Sequence, residues 1–366
     1  MTRTLDTTAE ARRDELVDRV FQAVIGAQDV MHVYLGHKLG LYAALADMPP
    51  ATPAELAERA GIAPRYAREW LEQQAVSGML DVTEDTGDPE TRRYRMPPGG
   101  KQVFCDPDSL TFMAPLASIA VGMAQAMPQV VEAFQTGGGV PYSAYGPELR
   151  VGIAEANRPM YSQQLAAEWL RAMPDIEERL RRTDRPARVA DLGCGEGWSS
   201  ISLALAYPNV RVDGVDTDEA SIVEARGHAM EAGVADRVTF YAEDAANGRL
   251  DPYDLVTMFE TFHDMSRPVE VLRSVHHMLT PGGAVLIADE KVAENFTAPG
   301  GDTERFHYGW SAPHCLAAAL VDPEAAGTGT VLRPAKLREY ATEAGFDTVT
   351  VLPIEHDTWR FYRLDP

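Results

Sequence analysis

Cysteine is scarce in this sequence. The 366 residues contain three, Cys105, Cys194 and Cys315, and no two of them are close together. Disulfide frameworks and cysteine-based zinc sites both need cysteines in paired spacings. We therefore expect neither a disulfide scaffold nor a cysteine zinc site, and we expect a protein of the reducing cytoplasm.

Positive charge is also low. The chain has 33 lysines and arginines against 55 aspartates and glutamates, which gives a formal net charge of -22. A surface this acidic repels the phosphates of nucleic acids and the anionic headgroups of lipids. We therefore expect a protein that binds neither nucleic acid nor membrane.

The sequence has no long run of strongly apolar residues. The first twenty residues are polar and acidic, which predicts no signal peptide. The 23 residues from Ser109 to Val131 carry no formal charge and are long enough to span a bilayer. Because this stretch contains Pro115 and Pro128 and is rich in alanine and methionine, we interpret it as a buried helix.

The first hundred residues predict helices followed by a short β-hairpin. A helix capped by Thr52 and ended by Gly61 is expected first. A second helix opens at Pro64, with Tyr66 and Trp70 facing inward. Two short strands around a polar turn follow. The order helix, turn, helix, wing is typical of a winged-helix module.

A different pattern begins after residue 185. Residues 101–180 look mainly helical, whereas strand-like runs then alternate with amphipathic helices, which is typical of βαβ units and a parallel sheet. The last two strands lie close enough in sequence to pair antiparallel. The predicted strands are residues 188–192, 210–215, 238–241, 254–258, 284–288, 348–352 and 359–364.

The most informative segment is a glycine-rich loop, residues 191–197 (DLGCGEG), directly after the first strand of the parallel series. Glycine permits a tight strand-to-helix turn there and lets a ligand approach the backbone. The second strand ends at Asp216, which can accept hydrogen bonds from ribose hydroxyls, and the third ends near Asp244, which can receive an adenine amine. The glycines lack the spacing of dinucleotide sites, and Asp191 precedes them. Such a loop suits S-adenosylmethionine, whose ammonium and sulfonium are cationic, better than a pyrophosphate.

The chain resembles the class I S-adenosylmethionine-dependent methyltransferases. Five motifs carry the resemblance, in the family's order: residues 191–197, Asp216, Asp244-Ala245, residues 253–256 and residues 279–283. The N-terminal half resembles the winged-helix domain of bacterial small-molecule methyltransferases, where it dimerises and covers the substrate pocket.

This resemblance implies an α/β fold: a Rossmann-like domain, whose seven-stranded sheet has one antiparallel strand, preceded by an α-rich winged-helix domain. It implies a winged-helix dimerisation domain at residues 1–100, a helical connector with substrate-pocket helices at 101–180, and an S-adenosylmethionine-binding domain at 181–366. It also implies a homodimer.

The resemblance assigns the cofactor-binding residues as well. The glycine loop would contact the methionine part, Asp216 the ribose and Asp244 the adenine, while Phe259 would lie along the cofactor. The expected site comprises Asp191, Gly193, Cys194, Gly195, Gly197, Asp216, Thr217, Asp244, Ala245 and Phe259.

Two residues after the fourth strand of the parallel series are candidates for the chemical step. A methyltransferase must align the acceptor and, for a hydroxyl, remove its proton. His263 is the first candidate base, because it lies at the sheet edge where ligands bind and its ordinary pKa is about 6.5. Glu260 is the second. The alternative is that His263 and Asp264 merely cap the helix that starts near Ser266.

The long connection at residues 291–330 is rich in aromatic residues and histidine, which suits the walls of a substrate pocket. The expected substrate contacts are Tyr161, His307, Trp310 and His314. His307, His314 and Cys315 could be imagined as metal ligands, but their spacing matches no common zinc motif. We therefore expect no metal.

Together these features favour S-adenosylmethionine-dependent methyl transfer to an uncharged or cationic small molecule, such as a secondary metabolite. O-methylation is the leading reaction, with nitrogen, carbon and sulfur acceptors left open, because no histidine clearly matches the catalytic one of the better-known O-methyltransferases. Two alternatives stay open. One is a winged-helix regulator that senses S-adenosylmethionine, although residues 1–100 carry 11 basic against 16 acidic residues. The other is an enzyme of this fold that uses the cofactor for a different reaction.

Overall fold

The computed structural model describes residues 3–247 and 251–366, and the chain divides into two compact units, Met1–Val121 and Gly122–Pro366. The first unit is mainly helical. Its elements are α1 (Arg3–Lys38), α2 (Leu41–Ala46), α3 (Pro53–Ala60), α4 (Pro64–Val76), β1 (Asp81–Glu84), β2 (Arg93–Arg95) and α5 (Gly100–Phe104).

The caps of α3 are those that the sequence predicts. The Thr52 hydroxyl accepts a hydrogen bond from the Glu55 N–H at 3.4 Å, and the Glu55 carboxylate accepts one from the Thr52 N–H at 2.7 Å. Gly61 ends the helix with a φ of 68°. This reciprocal pairing satisfies two N–H groups that the first turn leaves without partners. Antiparallel β1 and β2 follow α4 and form the wing.

The core of the first unit includes Trp70 and Leu71, which are both buried. The prediction that Tyr66 also faces inward is wrong, since this residue is 77% exposed. Tyr66 lies in the first turn of α4, where side chains lean toward the helix N-terminus and so extend past the core.

A stripe of apolar residues along α1 is exposed in the single chain. Its members recur every three or four residues, which places most of them on one face of the helix. We call this set the α1 stripe: Leu16, Val17, Val20, Phe21, Val24, Met31 and Leu35.

The uncharged segment predicted to be a buried helix forms α6 (Pro115–Thr136), which crosses the boundary between the two units. The helix begins at Pro115 rather than at Ser109. One side is buried, with Ile119 and Val130, whereas Phe134 is exposed. Among the described helices, α6 included, none combines the length and the hydrophobicity that a bilayer crossing requires.

The second unit is an α/β domain. Its strands are β3 (Arg188–Leu192), β4 (Arg211–Asp216), β5 (Val238–Ala242), β6 (Tyr253–Phe259), β7 (Leu279–Glu290), β8 (Thr348–Val351) and β9 (Trp359–Asp365). Its helices are α7 (Gly146–Met160), α8 (Pro174–Leu180), α9 (Trp198–Ala206), α10 (Glu219–Glu231), α11 (Pro268–Met278), α12 (Asp302–Trp310), α13 (Leu316–Ala319) and α14 (Pro334–Ala344).

Within the described residues these strands form one seven-stranded sheet in the order β5-β4-β3-β6-β7-β9-β8. β9 runs antiparallel to both of its neighbours, and the remaining pairs are parallel. The expected Rossmann-like sheet with one antiparallel strand is therefore confirmed. Buried side chains pack α9 and α10 against the sheet in one cluster, and α11 and α14 in another.

Two segments of the second unit are π-helical. Tyr161–Trp169 continues α7, and Ser311–Cys315 continues α12. A π-helix accommodates an extra residue in the turn, and such segments are frequently found at functional sites. Tyr161 and His314, both predicted to contact substrate, lie in these two segments.

Candidate active site

A cavity of about 330 Å³ lies at the carboxyl ends of β3, β4, β5 and β6. This is the edge of the sheet where ligands bind in doubly wound α/β domains. The predicted site residues that line it are Gly193, Cys194, Gly195, Asp216, Thr217, Asp244, Ala245, Phe259, Glu260, Tyr161 and His314.

The glycine loop turns sharply because three of its residues have a positive φ: Gly193 at 70°, Gly195 at 51° and Gly197 at 83°. A Cβ on Gly193 would lie 2.7 Å from the Cβ of Thr261, which also lines the cavity. A Cβ on Gly197 would meet the Phe240 ring at 2.6 Å. Gly197 does not line the cavity, and it permits the close packing at the start of α9.

Asp191 is buried behind the loop and does not line the cavity. Its carboxylate accepts hydrogen bonds from the hydroxyls of Ser199 and Ser200, each at 2.6 Å, and from Thr257 at 2.8 Å. These bonds tie the end of β3 to α9 and β6. In this position Asp191 holds the glycine loop in place and does not face a ligand in the cavity.

Asp216 connects the glycine loop to β4. One carboxylate oxygen accepts the N–H of Gly195 and the other accepts the N–H of Asp218, both at 2.8 Å. Burial raises the pKa of Asp216, and the two backbone hydrogen bonds oppose that effect. Each oxygen keeps a second lone pair, so the carboxylate can still accept bonds from a ligand.

Asp244 faces the cavity beside Arg267. The two side chains are joined by an ion pair of 2.5 Å, and Asp244 also accepts the N–H of Ala246 at 2.8 Å. The sequence did not indicate this arginine, which comes from the residue before α11.

The cavity is strongly anionic. Its two arginines, Arg150 and Arg267, each pair with carboxylates of the same cavity. The acidic side chains that line it number eight: Glu196, Asp216, Asp218, Glu243, Asp244, Glu260, Asp264 and Asp322. An excess of carboxylates in an enclosed site favours a cationic ligand.

Glu260 has a strained backbone at the end of β6. Its φ is 53°, which side-chain-bearing residues rarely adopt, and such strain persists where surrounding structure holds it. Its carboxylate accepts a hydrogen bond from the Asn157 amide at 2.5 Å. Burial raises its pKa, against the opposing effects of Asn157 and the His263 charge. A carboxyl with a raised pKa that faces a cavity is a stronger base than an ordinary glutamate and is suited to proton transfer.

His263 is buried next to the cavity and does not line it. Its Nδ1 lies 2.8 Å from Asp289 Oδ1, and its Nε2 lies 3.2 Å from Asp264 Oδ1. Burial alone would lower the pKa of this imidazole, but the charges of Asp289 and Asp264 outweigh burial and raise the pKa well above its ordinary value. A protonated imidazole cannot accept another proton, which argues against His263 as the base. It also does not cap α11, where Arg267 occupies the cap position.

Two predicted substrate contacts lie outside the cavity. His307 is buried, with Nδ1 3.2 Å from a Glu290 oxygen, and burial lowers its pKa to about 4. Trp310 packs edge-on against the Phe306 ring, 5.2 Å away. Both lie on α12, while the next segment brings His314 to the cavity wall.

Several cavity residues were missed at the level of sequence. Asn157 and Arg150 come from α7, far from the glycine loop in the chain, and local patterns give no sign of their contacts. Tyr142, from the short helical turn before α7, also lines the cavity. Asp264, for which the sequence also allows a role as a helix cap, lines the cavity as well.

Comparison with known proteins identifies two domains. Residues 184–330 match the methyltransferase domain family Methyltransf_31. Residues 27–104 match the Rv2258c-like winged HTH domain family.

Among curated proteins, the chain is similar to the ubiquinone biosynthesis O-methyltransferase of Pseudomonas aeruginosa strain UCBPP-PA14, with 36% identity over 102 residues. That match covers 28% of this chain and 43% of the relative, so the chain spans less than half the length of the curated relatives it matches.

Among solved structures, it is similar to the mitomycin 7-O-methyltransferase MmcR, with a TM-score of 0.67, 21% identity and coverage of 98% of this chain and 99% of that one. It is also similar to human N-acetylserotonin methyltransferase in complex with SAM, with a TM-score of 0.69, 16% identity and coverage of 96% and 97%. At these identities the likeness shows the fold. The chain therefore has a segment, residues 27–104, that matches an Rv2258c-like winged HTH domain, and a unit of Rossmann-like fold in which residues 184–330 match a methyltransferase domain.

Proposed function

We propose that this protein is an S-adenosylmethionine-dependent methyltransferase that methylates a small molecule, with oxygen as the favoured acceptor atom. The observation that carries the proposal is the anionic cavity built around the glycine loop at the carboxyl edge of the sheet. An ammonium and a sulfonium are both stabilised by such surroundings, whereas a pyrophosphate is not. The structures of similar fold include proteins named mitomycin 7-O-methyltransferase and N-acetylserotonin methyltransferase.

The cavity residues divide by the part of the cofactor they would hold. Gly193, Cys194 and Gly195 would lie along the methionine part, with Gly197 and Asp191 shaping the loop from behind. Asp216 and Thr217 would hold the ribose, and Asp244 with Ala245 the adenine. Phe259, buried at the end of β6, would pack along the cofactor.

Bound S-adenosylmethionine supplies an electrophilic methyl group, so that a carbon–oxygen bond to the acceptor forms as the carbon–sulfur bond breaks and the electron pair stays on sulfur. The chain's own part is to align the acceptor, exclude water and remove the hydroxyl proton. We assign proton removal to Glu260, which faces the cavity with a raised pKa. Tyr161 and His314 would contact the acceptor from the two π-helical segments. His263 would position the turn between Glu260 and Asp264.

The substrate is an uncharged or cationic small molecule, because eight carboxylates would repel a polyanion. Secondary metabolism is the setting that suits such an acceptor. His307 and Trp310 lie outside the cavity, so their expected substrate contacts would need α12 to move.

The winged-helix domain is proposed to serve dimerisation rather than DNA binding. Arginines on α4 and on the hairpin pair with acidic residues of the same domain, so their charge is neutralised within the chain. The pairs are Arg65 with Glu69, Arg68 with Glu90, Arg92 with Glu72 and Asp85, Arg93 with Glu55, and Arg95 with Asp81. A DNA reader needs free positive charge on these elements.

The α1 stripe is the surface through which two copies would pair, since an exposed apolar stripe of this length is costly in water.

Cys105, Cys194 and Cys315 are free thiols, which suits a cytoplasmic protein. The division into residues 1–100, 101–180 and 181–366 stays part of the proposal.

Calorimetric titration of the purified protein with S-adenosylmethionine, S-adenosylhomocysteine and NAD tests this function. We expect one molecule of either sulfur compound to bind per chain and NAD not to bind. Binding of NAD alone, or of none of the three, would overturn the cofactor assignment. Methyl transfer from labelled S-adenosylmethionine to a panel of phenols, amines and thiols then identifies the acceptor atom.

A further inference from the structure

A second polar cluster lies against the wall of the cavity. A ring nitrogen of His263, a carboxylate oxygen of Asp264 and the Sγ of Cys315 all lie within 4.8 Å of one another. The first two residues lie in the short helical turn Phe262–Asp264 after β6, and the third ends the π-helical segment Ser311–Cys315. The fold thus brings together three donor atoms from two distant parts of the chain.

We propose that these three residues bind a divalent transition metal ion of the zinc class. Nitrogen, oxygen and sulfur are the donor atoms found in zinc sites, and three protein ligands leave a fourth position open for another molecule. The inference deepens the proposed function, because the open position would receive the acceptor, and it rests on that function for its catalytic meaning.

The spacing of two donors already suits a metal. Metal–ligand distances of about 2.0–2.2 Å place neighbouring nitrogen and oxygen ligands of a tetrahedral site about 3.4 Å apart. His263 Nε2 and Asp264 Oδ1 are 3.2 Å apart, yet Asp264 Oδ1 is a buried atom that makes no hydrogen bond. Cys315 Sγ, which lies within 4.8 Å of the other two donors, would need to approach by at most about 1 Å to complete the set. In the metal-free chain the protonated ring of His263 faces this oxygen, and a metal ion would displace the Nε2 proton and bind between the two residues.

Asp289 prepares His263 to bind a metal. Its carboxylate accepts a hydrogen bond from Nδ1 at 2.8 Å and another from the His263 backbone N–H at 3.1 Å. A carboxylate on one ring nitrogen fixes the orientation of the imidazole and leaves the other nitrogen for the metal, which is the usual arrangement at metal-binding histidines. Two carboxylates against one imidazole also give the cluster an excess of negative charge.

The cluster opens toward the cavity. Asp264 and His314 both line it, whereas His263 and Cys315 are buried behind them. His314 Nδ1 lies 3.3 Å from Cys315 Sγ, and His314 Nε2 is buried without a hydrogen-bond partner. An acceptor hydroxyl in the open position would bind the metal, which lowers the pKa of a coordinated hydroxyl, and Glu260 faces the same cavity to take the proton.

Cobalt(II) binding to the full chain tests the site without any assay of activity. The protein is prepared without an affinity tag, treated with EDTA, dialysed and titrated with Co²⁺. We expect one ion per chain, a near-ultraviolet charge-transfer band from a thiolate ligand, and loss of both signals when Zn²⁺ is added. Absence of a thiolate band in the wild-type chain would overturn the proposal.

Variants locate the ion. Cys315→Ser should abolish the charge-transfer band, while Cys105→Ser and Cys194→Ser, which alter the other two thiols, should retain it. Asp289→Asn should weaken Co²⁺ binding by about 10–100-fold, because it removes the partner that orients His263. If Cys315→Ser does not fold, Asp264→Asn supplies the test through Co²⁺ affinity. An unchanged band in Cys315→Ser, or unchanged affinity in Asp264→Asn, would contradict the site.

S-adenosylhomocysteine titration of the same samples separates this inference from the proposed function. A chain that binds S-adenosylhomocysteine but no Co²⁺ would contradict the metal site alone. A chain that binds Co²⁺ but not S-adenosylhomocysteine would contradict the cofactor assignment alone.

Discussion

The carboxylate of Asp289 holds His263 by both its ring and its backbone, through bonds of 2.8 Å from Nδ1 and 3.1 Å from the N–H. Asp289 lies near the end of β7 and His263 in the turn after the neighbouring strand β6. Each is 1% exposed. The pair therefore fixes the turn that carries Glu260 and Asp264 at the cavity wall.

Breaking this pair should strongly destabilise the second unit. Asp289→Ala leaves a buried imidazolium without its main partner, and removal of one member of a buried ion pair typically costs about 3–5 kcal/mol. The free energy of unfolding, measured with urea, should fall by that amount. Asp302→Ala is the matched control, because Asp302 also belongs to an ion pair, here with Arg305, but its side chain is 96% exposed. The free energy of unfolding should therefore fall only slightly in this variant. Equal effects of the two variants would contradict the role of Asp289.

Glu260→Gln should lower kcat by about 100-fold or more, because a positioned general base contributes roughly 10²–10⁴ to the rate. The base acts as a carboxylate, so the wild-type rate should fall as pH drops through the raised pKa of Glu260 and its neighbour Glu290. That limb should lie above the ordinary pKa of a glutamate and should disappear in the variant. The pH profile of kcat measures it, and the exposed Glu324→Gln serves as control. A profile that keeps the limb in Glu260→Gln would place the base elsewhere.

Gly193→Ala should impair S-adenosylhomocysteine binding through two effects. A φ of 70° costs a residue with a Cβ about 1–2 kcal/mol, and that Cβ would also collide with Thr261. Gly233→Ala is the control, because Gly233 has a similar φ of 68° and nothing within 4 Å of an added Cβ. Thermal unfolding and calorimetry should show a stability loss in both variants and a loss of binding only in Gly193→Ala. Similar binding by the two would show that the loop tolerates the change.

Asp216→Ala should weaken S-adenosylhomocysteine binding by about 10–100-fold, since hydrogen bonds to a charged group contribute about 1.5–3 kcal/mol. It also removes the contact to the Gly195 N–H, which holds the loop near β4. Calorimetric titration gives the affinity. The control is Asp236→Ala, an exposed aspartate of the same unit that does not line the cavity. Unchanged affinity in Asp216→Ala would remove this residue from the cofactor site.

A charge placed on the α1 stripe should convert a dimer into a monomer. In Val20→Glu/Phe21→Glu, burial of the stripe against a second copy would require two carboxylates to lose their water. Light scattering after size-exclusion chromatography should give half the wild-type mass. Gln22→Glu adds a charge on the opposite side of the helix and should leave the mass unchanged. A wild-type monomer, or a dimer that survives the double substitution, would contradict the proposed pairing surface.

The sheet and the loops at its edge could be predicted because their signals are local. β3 occupies the predicted residues 188–192, and Asp216 ends β4 as expected. β7 is longer than its predicted core of residues 284–288, since it begins at Leu279 and contains Pro281. Apolar patterning cannot reveal that extension because most of the added residues are polar or turn-forming.

The polar contacts around the cavity could not be predicted, because they join distant residues. Asn157 bonds Glu260 across 103 positions, and the neighbours of Asn157 on α7 give no hint of it. The sequence predicts that His263 lies beside the cavity, but its protonation depends on Asp289, and nothing in the sequence distinguishes Asp289 from other strand residues. Cys315 and His263 are likewise far apart in the sequence, and the fold brings their donor atoms within 4.8 Å of each other through the π-helical segment.

The π-helical segment Ser311–Cys315 makes this neighbourhood sensitive to chain length. One residue fewer in this turn would let it wind as an ordinary α-helix, in which each position is rotated by about 100° from the last. The side chains that follow the deleted residue would then point in a new direction, and the thiol of Cys315 would no longer lie beside Asp264. An insertion or deletion in this segment should therefore alter the cavity more than a point substitution does, and so change which ligand or substrate the cavity accepts. The length of this segment is thus a natural means by which related proteins could diverge in specificity.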